Sequence, residues 1–84
     1  EVENSFTNRL RNIFKECVTE ISYAQNMVVI KTLPGLGQAA AMAIDAMRDK
    51  RVIGTLGGDD TVFIVMRDES VASQFCSEAQ KTLL

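Results

Sequence analysis

The 84-residue sequence contains no histidine, no tryptophan, a single proline and only two cysteines, Cys17 and Cys76. Without histidine, no serine or cysteine has the general base that a nucleophilic triad requires, so we predict no catalytic residues and no enzyme activity. The cysteines match no metal-binding spacing and are interpreted as buried free thiols of a reducing compartment. The absence of a signal peptide and of any apolar run near 20 residues favours a cytoplasmic protein with no membrane partner.

Positive charge is also sparse, because nine Lys and Arg residues face eleven Asp and Glu residues, for a net charge of −2. Direct binding of nucleic acid needs clustered cations facing phosphates, and the basic residues here are scattered. Hydrophobic residues make up 46% of the chain, although a chain of this length buries only about 60–65% of its unfolded surface. We therefore expect one small domain over residues 1–84 that associates through an apolar face. Its start at Glu1 rather than Met suggests a fragment.

Apolar periodicity predicts the order helix, strand, strand, helix, strand, strand, helix. The first helix is indicated by Phe6, Leu10 and Phe14 at helical spacing, with Asn4 or Ser5 as a possible N-cap. The remaining predicted elements are strands from Cys17 to Tyr23, Met27 to Thr32, Val52 to Thr55 and Thr61 to Met66, a helix from Gly35 to Met47, and a helix capped by Asp68. This order is typical of an α+β fold, with a small, mostly antiparallel four-stranded sheet and helices packed on one face.

Two neighbouring carboxylates, Asp59 and Asp60, stand on a predicted turn that begins with Gly57 and Gly58. Adjacent carboxylates repel each other unless a positive group or a hydrogen-bond donor lies nearby. A solvent-exposed hairpin tip would explain them, because Asp and Gly are common turn residues. A guanidinium would also suit the pair, since it donates two parallel hydrogen bonds to a carboxylate. A divalent metal such as Mg²⁺ is a further alternative.

A second polar pair, Gln38 and Asp45, interrupts the alanine-rich second helix. Seven residues separate them, so they lie nearly above one another on one helix face. The pair is either a narrow solvated stripe or part of a ligand site. In the second interpretation Asp45 attracts an ammonium group, while free N–H groups at the helix start or on the nearby strand receive a carboxylate.

The segment from Val28 to Gly35, followed by Gln38, and the segment from Gly54 to Thr61 together resemble the C-terminal domain of the bacterial arginine repressor family. The resemblance covers essentially the whole chain. It implies a homohexamer built as two stacked trimers, with L-arginine as co-repressor ligand at the interface between them and no other cofactor or metal. It also implies that operator DNA is contacted only by an N-terminal winged-helix domain, which is absent here.

Carried over to this sequence, the resemblance implies a ligand site of six residues, namely Gln38, Asp45, Thr55, Gly57, Asp59 and Asp60. The two helix residues would hold the amino-acid end of L-arginine, and the two strand residues would contribute through their backbone. The acidic pair would reach the ligand from the facing trimer. The alternative function is an amino-acid-binding regulatory module of a metabolic enzyme, which would typically form a dimer and bind a different effector.

Overall fold

The computed structural model describes residues 11–83 of the chain, and the side chains of residues 11–82. Residues 11–17 are helical and belong to helix α1. The elements that follow are β1 (Val18–Ala24), β2 (Met27–Thr32), α2 (Gly37–Ala46), β3 (Val52–Gly57), β4 (Thr61–Met66) and α3 (Glu69–Leu83). The strands form one sheet in the order β1-β2-β4-β3, and all three pairings are antiparallel. The predicted α+β fold with a four-stranded antiparallel sheet is confirmed.

Alternation along β2 and β4 gives the sheet one face that packs against the helices. Val28 of β2 is paired with Ile64 of β4, and Ile30 is paired with Val62. These four side chains are completely buried, because they form one core with side chains of all three helices. Each fully buried aliphatic side chain stabilises the fold by about 1.5–3 kcal/mol relative to exposure. The core therefore holds the sheet and the helix layer together.

The opposite face of the sheet, which we call the outer face, is also apolar. Its centre consists of Met27, Val29, Leu56, Phe63 and Val65. Phe63 pairs with Val29 on one side and with Leu56 on the other, so the three form a row across three strands. Leu56 is 73% exposed and Phe63 is 44% exposed. A contiguous exposed apolar surface of this kind marks an interaction site more often than a solvated one.

Several predicted boundaries are wrong by one or two residues, for local reasons. Cys17 ends helix α1 instead of beginning β1. Helix α2 begins at Gly37 rather than Gly35, because Gly35 has a φ of +83° and lies in a turn closed by a hydrogen bond from the Leu36 N–H to the Leu33 carbonyl. Strand β3 continues two residues beyond its predicted end at Thr55.

Other local predictions are confirmed. The carboxylate of Asp68 accepts a hydrogen bond from the Val71 N–H at 2.9 Å and caps the start of α3. Cys17 and Cys76 are both free and buried, and burial raises the pKa of the Cys76 thiol. The predicted first-helix residues Phe6 and Leu10, with the possible caps Asn4 and Ser5, lie outside the described residues. Within the described chain, the helices are too short or too polar for any of them to span a membrane.

An ion pair joins the start of β3 to helix α3. The Arg51 guanidinium donates two hydrogen bonds to the Asp49 carboxylate, at 3.0 and 2.7 Å, and also donates to Glu78 at 2.9 Å. It lies 5.5 Å from the centre of the Phe75 ring. The hydrogen bonds from Arg51 lower the pKa of Asp49 below its ordinary value. The ionised form of Asp49 therefore stabilises the folded state.

We expect the substitution Asp49→Asn to remove part of the acid sensitivity of folding. Because the pKa of Asp49 is lower in the folded state, its stabilisation is present above the unfolded pKa of about 3.9 and is lost as the pH falls through the folded pKa. The variant should lose about 1 kcal/mol at pH 7, since the pair is partly exposed to solvent. Urea unfolding between pH 2 and pH 7 measures this effect, with exposed Glu20→Gln as control. If the free energy of unfolding depends on pH in the same way in Asp49→Asn and in the wild type, the prediction is contradicted.

Candidate functional site

The start of helix α2 lies directly against the turn between β3 and β4. The Gly37 N–H donates a hydrogen bond to the Asp59 carbonyl at 2.9 Å. The Thr32 N–H, at the end of β2, donates to the Asp60 carbonyl at 2.8 Å. Both acidic residues of the turn are thus fixed through their main chain, while their side chains remain exposed. The turn cannot move without breaking hydrogen bonds to two other elements.

Two glycines make this close contact possible. A Cβ atom on Gly37 would lie 2.1 Å from the Gly58 carbonyl oxygen, and a Cβ on Gly57 would lie 2.9 Å from the Ala41 Cβ. Neither position has space for a side chain unless the backbone moves. Gly57, which the family resemblance places in the site, therefore lies against the first turn of α2. The same Cβ would be 3.1 Å from the Gln38 Cα, so these two predicted residues are neighbours.

Asp45 and Thr55 are joined by a hydrogen bond. The Thr55 hydroxyl donates to one Asp45 carboxylate oxygen at 2.8 Å. Thr55 is directly opposite the buried Ile64 in the sheet, so its side chain is on the face that carries the helices. Asp45 lies near the end of α2 and is exposed. The carboxylate is oriented by Thr55, and its second oxygen has no partner among the described residues.

Asp60 is held by a different threonine. The Thr61 hydroxyl donates to one Asp60 carboxylate oxygen at 3.0 Å, and it accepts a hydrogen bond of 3.0 Å from the Lys31 ammonium. Lys31 and Thr61 are directly opposite each other in β2 and β4, on the outer face of the sheet. Sequence analysis did not identify either residue as part of the site. The available signal was a polar pair at the ends of two otherwise apolar strands.

The six predicted residues therefore fall into two groups on opposite sides of the sheet. Gln38 and Asp45 lie on the helix side, whereas the Asp60 carboxylate is bonded to a threonine on the outer face. Asp59 lies on the turn between the two groups. Among the six, the structure brings Asp45 into contact with Thr55 and Gly57 close to Gln38, and it places the Asp60 carboxylate on the other side. Gly57 lies at the end of β3, between the residues on the helix side and the turn that carries Asp59 and Asp60.

Two concave surfaces of the described part lie elsewhere. A cavity of about 220 Å³ is bordered by Ile44, Arg51 and Phe75, and a second hollow is bordered by Tyr23 and Cys76. None of the predicted site residues lines either of them. Asp45, Asp59 and Asp60 are all exposed, so they present an open acidic edge. Within residues 11–83, no group of three His, Cys, Asp or Glu side chains is arranged to hold a metal ion.

The fold and the exposed carboxylates together define a small α+β domain with an open, acidic edge. The sequence profile described as "Arginine repressor, C-terminal domain" matches residues 14–81. The chain belongs to this family, as its motifs indicated. It is 44% identical over 79 residues to an arginine repressor of Acetivibrio thermocellus, covering 94% of this chain and 52% of the relative. It is 57% identical over 67 residues to an arginine repressor of Alkaliphilus oremlandii, covering 80% and 45%. The chain thus spans about half the length of these relatives.

We expect Gly37→Ala to destabilise the domain by about 1–3 kcal/mol, because the added Cβ forces backbone atoms of α2 and the acidic turn apart. The neighbouring substitution Gly58→Ala is the matched control, since its Cβ would meet only the Thr61 carbonyl oxygen at an ordinary 3.6 Å. Urea unfolding without added ligand measures both variants. Equal stabilities for the two would show that the contact between α2 and the turn is not close.

Proposed function

We propose that this chain is the effector-sensing and hexamerisation domain of an L-arginine-dependent transcriptional regulator of arginine metabolism. Residues 1–84 form one domain, and operator DNA is bound by an N-terminal winged-helix domain of the full-length protein. The regulator acts in the cytoplasm, catalyses no reaction and uses L-arginine as its only small-molecule partner. Family membership and the names of the relatives support this assignment. The observation that carries it is the division of the acidic site into two separated halves.

One half suits the amino-acid end of L-arginine. The free oxygen of Asp45 accepts a hydrogen bond from the α-ammonium, and the amide of Gln38 lies two helical turns away on the same face. The start of α2 has no side-chain cap. The Gly37 N–H is already bonded to the Asp59 carbonyl, so the N–H groups of Gln38 and Ala39 remain to receive the α-carboxylate. The edge strand β3 adds its backbone groups at Thr55 and Gly57.

The other half suits the guanidinium end. Asp59 and Asp60 present exposed carboxylates on a turn that is fixed through its main chain. A guanidinium has five N–H donors in a planar fork, so it satisfies two carboxylates at once. Because the Asp60 carboxylate is bonded to Thr61 on the outer face, away from Asp45, we assign the carboxylates that bind the guanidinium of a given ligand to the facing trimer. Each chain then contributes to two ligand sites.

Assembly and ligand binding are coupled in this arrangement. The apolar outer face, which includes Leu56 and Phe63, favours association of the chains because contact removes it from water. A ligand that binds only the assembled state stabilises that state by mass action. By linkage, L-arginine favours the hexamer to the same extent that the hexamer favours L-arginine. In the full-length protein, this coupling fixes the relative positions of the DNA-binding domains.

Calorimetric titration should show that L-arginine binds more tightly than L-citrulline by roughly 2–5 kcal/mol. Citrulline keeps the shape of arginine but loses its charge, so it leaves the acidic pair without a cation. The Glu69→Gln variant is the control, since Glu69 is exposed at the start of α3, away from the acidic turn, and should not alter either affinity. Equal affinities for the two ligands in the wild type would remove the acidic pair from recognition.

Sedimentation with saturating L-arginine should give a hexamer, and Leu56→Lys should weaken the association. The substitution places a charge on the outer face beside Phe63, where desolvating it opposes contact between chains. The control is Ser77→Lys, at an exposed position on α3. A dimer that does not respond to L-arginine would instead favour the amino-acid-binding regulatory module of a metabolic enzyme.

A further inference from the structure

The carboxylate of Asp60 lies at the end of a chain of hydrogen bonds that begins at Lys31. We propose that Lys31 and Thr61 are positioning residues, which hold the Asp60 carboxylate in the orientation that receives the guanidinium of L-arginine. The inference rests on the proposed function and assigns a role to two residues outside the six-residue site.

The direction of the chain follows from the chemistry of its members. A lysine ammonium carries donors only, and an ionised carboxylate carries acceptors only. The Thr61 hydroxyl has a single proton, and its oxygen already accepts a bond from Lys31. The proton is therefore directed at Asp60, 3.0 Å away. Lys31 thus fixes a hydroxyl group that would otherwise rotate.

The main chain around this group is fixed as well. Lys31 and Thr61 are paired across β2 and β4. The Thr61 carbonyl accepts a hydrogen bond from the Gly58 N–H, and the Asp60 carbonyl accepts one from the Thr32 N–H, both at 2.8 Å. Only the side-chain torsions of Asp60 remain to be set, and the Thr61 hydroxyl restrains them. Pre-orientation of this kind lowers the cost of ordering a side chain when a ligand binds.

Asp59 and Asp60 therefore differ in how firmly their carboxylates are held. Asp60 uses one carboxylate oxygen for Thr61 and keeps the other for a guanidinium N–H. In the part of the chain that the structure describes, the Asp59 side chain has no hydrogen-bond partner. Asp60 is then the fixed acceptor, and Asp59 adapts its position to the bound ligand.

Thr55 provides a matched comparison, because it holds Asp45 as Thr61 holds Asp60. Asp45 serves the amino-acid end, which L-arginine and L-citrulline share, whereas Asp60 serves the end at which they differ. Thr61→Val should weaken L-arginine binding about 3- to 10-fold, the effect of one hydrogen bond, and should narrow the preference for L-arginine over L-citrulline by the same factor. Thr55→Val should weaken the binding of both ligands equally and leave the preference for L-arginine over L-citrulline unchanged.

The experiment is calorimetric titration of the oligomeric protein with both ligands, after circular dichroism has shown that each variant is folded. Thr61→Ser retains the hydroxyl and should bind like the wild type. If Thr61→Val does not fold, Thr61→Ala takes its place.

In an Asp60→Asn background, which itself weakens L-arginine binding, the Thr61→Val substitution should add no further loss of affinity, because Thr61 acts only through Asp60.

An unchanged ligand preference in Thr61→Val, or a full additional loss in the Asp60→Asn background, would overturn this inference while leaving the proposed function intact. Failure of the wild type to bind L-arginine would overturn the proposed function instead. The two failures are distinguishable because the first is measured only on a wild type that binds.

Discussion

The contact between the first turn of α2 and the β3–β4 turn is the constraint on which the site depends. Main-chain hydrogen bonds from Gly37 and Thr32 hold the carbonyl groups of Asp59 and Asp60. The contact is close because no side chain separates the two segments at Gly37. Acidic side chains on a free loop would lose much of their interaction energy in becoming ordered. Here the backbone of both residues is already ordered, so only their side chains remain to be ordered when a ligand binds.

The carboxylates of Asp45 and Asp60 are held on opposite faces of the sheet. Thr55 and Thr61 lie on opposite faces of the sheet, and each of them orients a carboxylate, that of Asp45 and that of Asp60 respectively. In the proposed function, a ligand with charged groups at both ends is shared between chains. The apolar outer face supplies a driving force for association that does not require the ligand. Ligand binding and association of the chains then favour each other.

The sequence was sufficient to predict most of the fold, because short apolar runs rich in β-branched residues identify β2 and β4 as strands, bounded by turn residues. It was insufficient where a boundary depends on tertiary pairing, as at Leu56 and Gly57, which remain in β3 opposite Phe63 and Val62. The acidic turn was predictable from its composition. The role of Lys31 was not, because its partner Thr61 is 30 positions away and strand register cannot be read from one strand. The Arg51–Glu78 pair was missed for the same reason.

Strand β3 is at the edge of the sheet, since the order is β1-β2-β4-β3. Main-chain N–H and C=O groups on an open edge form a template on which a foreign strand can add, and proteins usually block such edges with charges, bulges or covering segments. The register shift between Val52 and Gly54 disrupts the beginning of β3. Its other end, from Thr55 to Gly57, borders the proposed ligand. A bound amino acid would therefore also shield this end of the edge, and depletion of arginine would leave it open to unwanted strand pairing and aggregation.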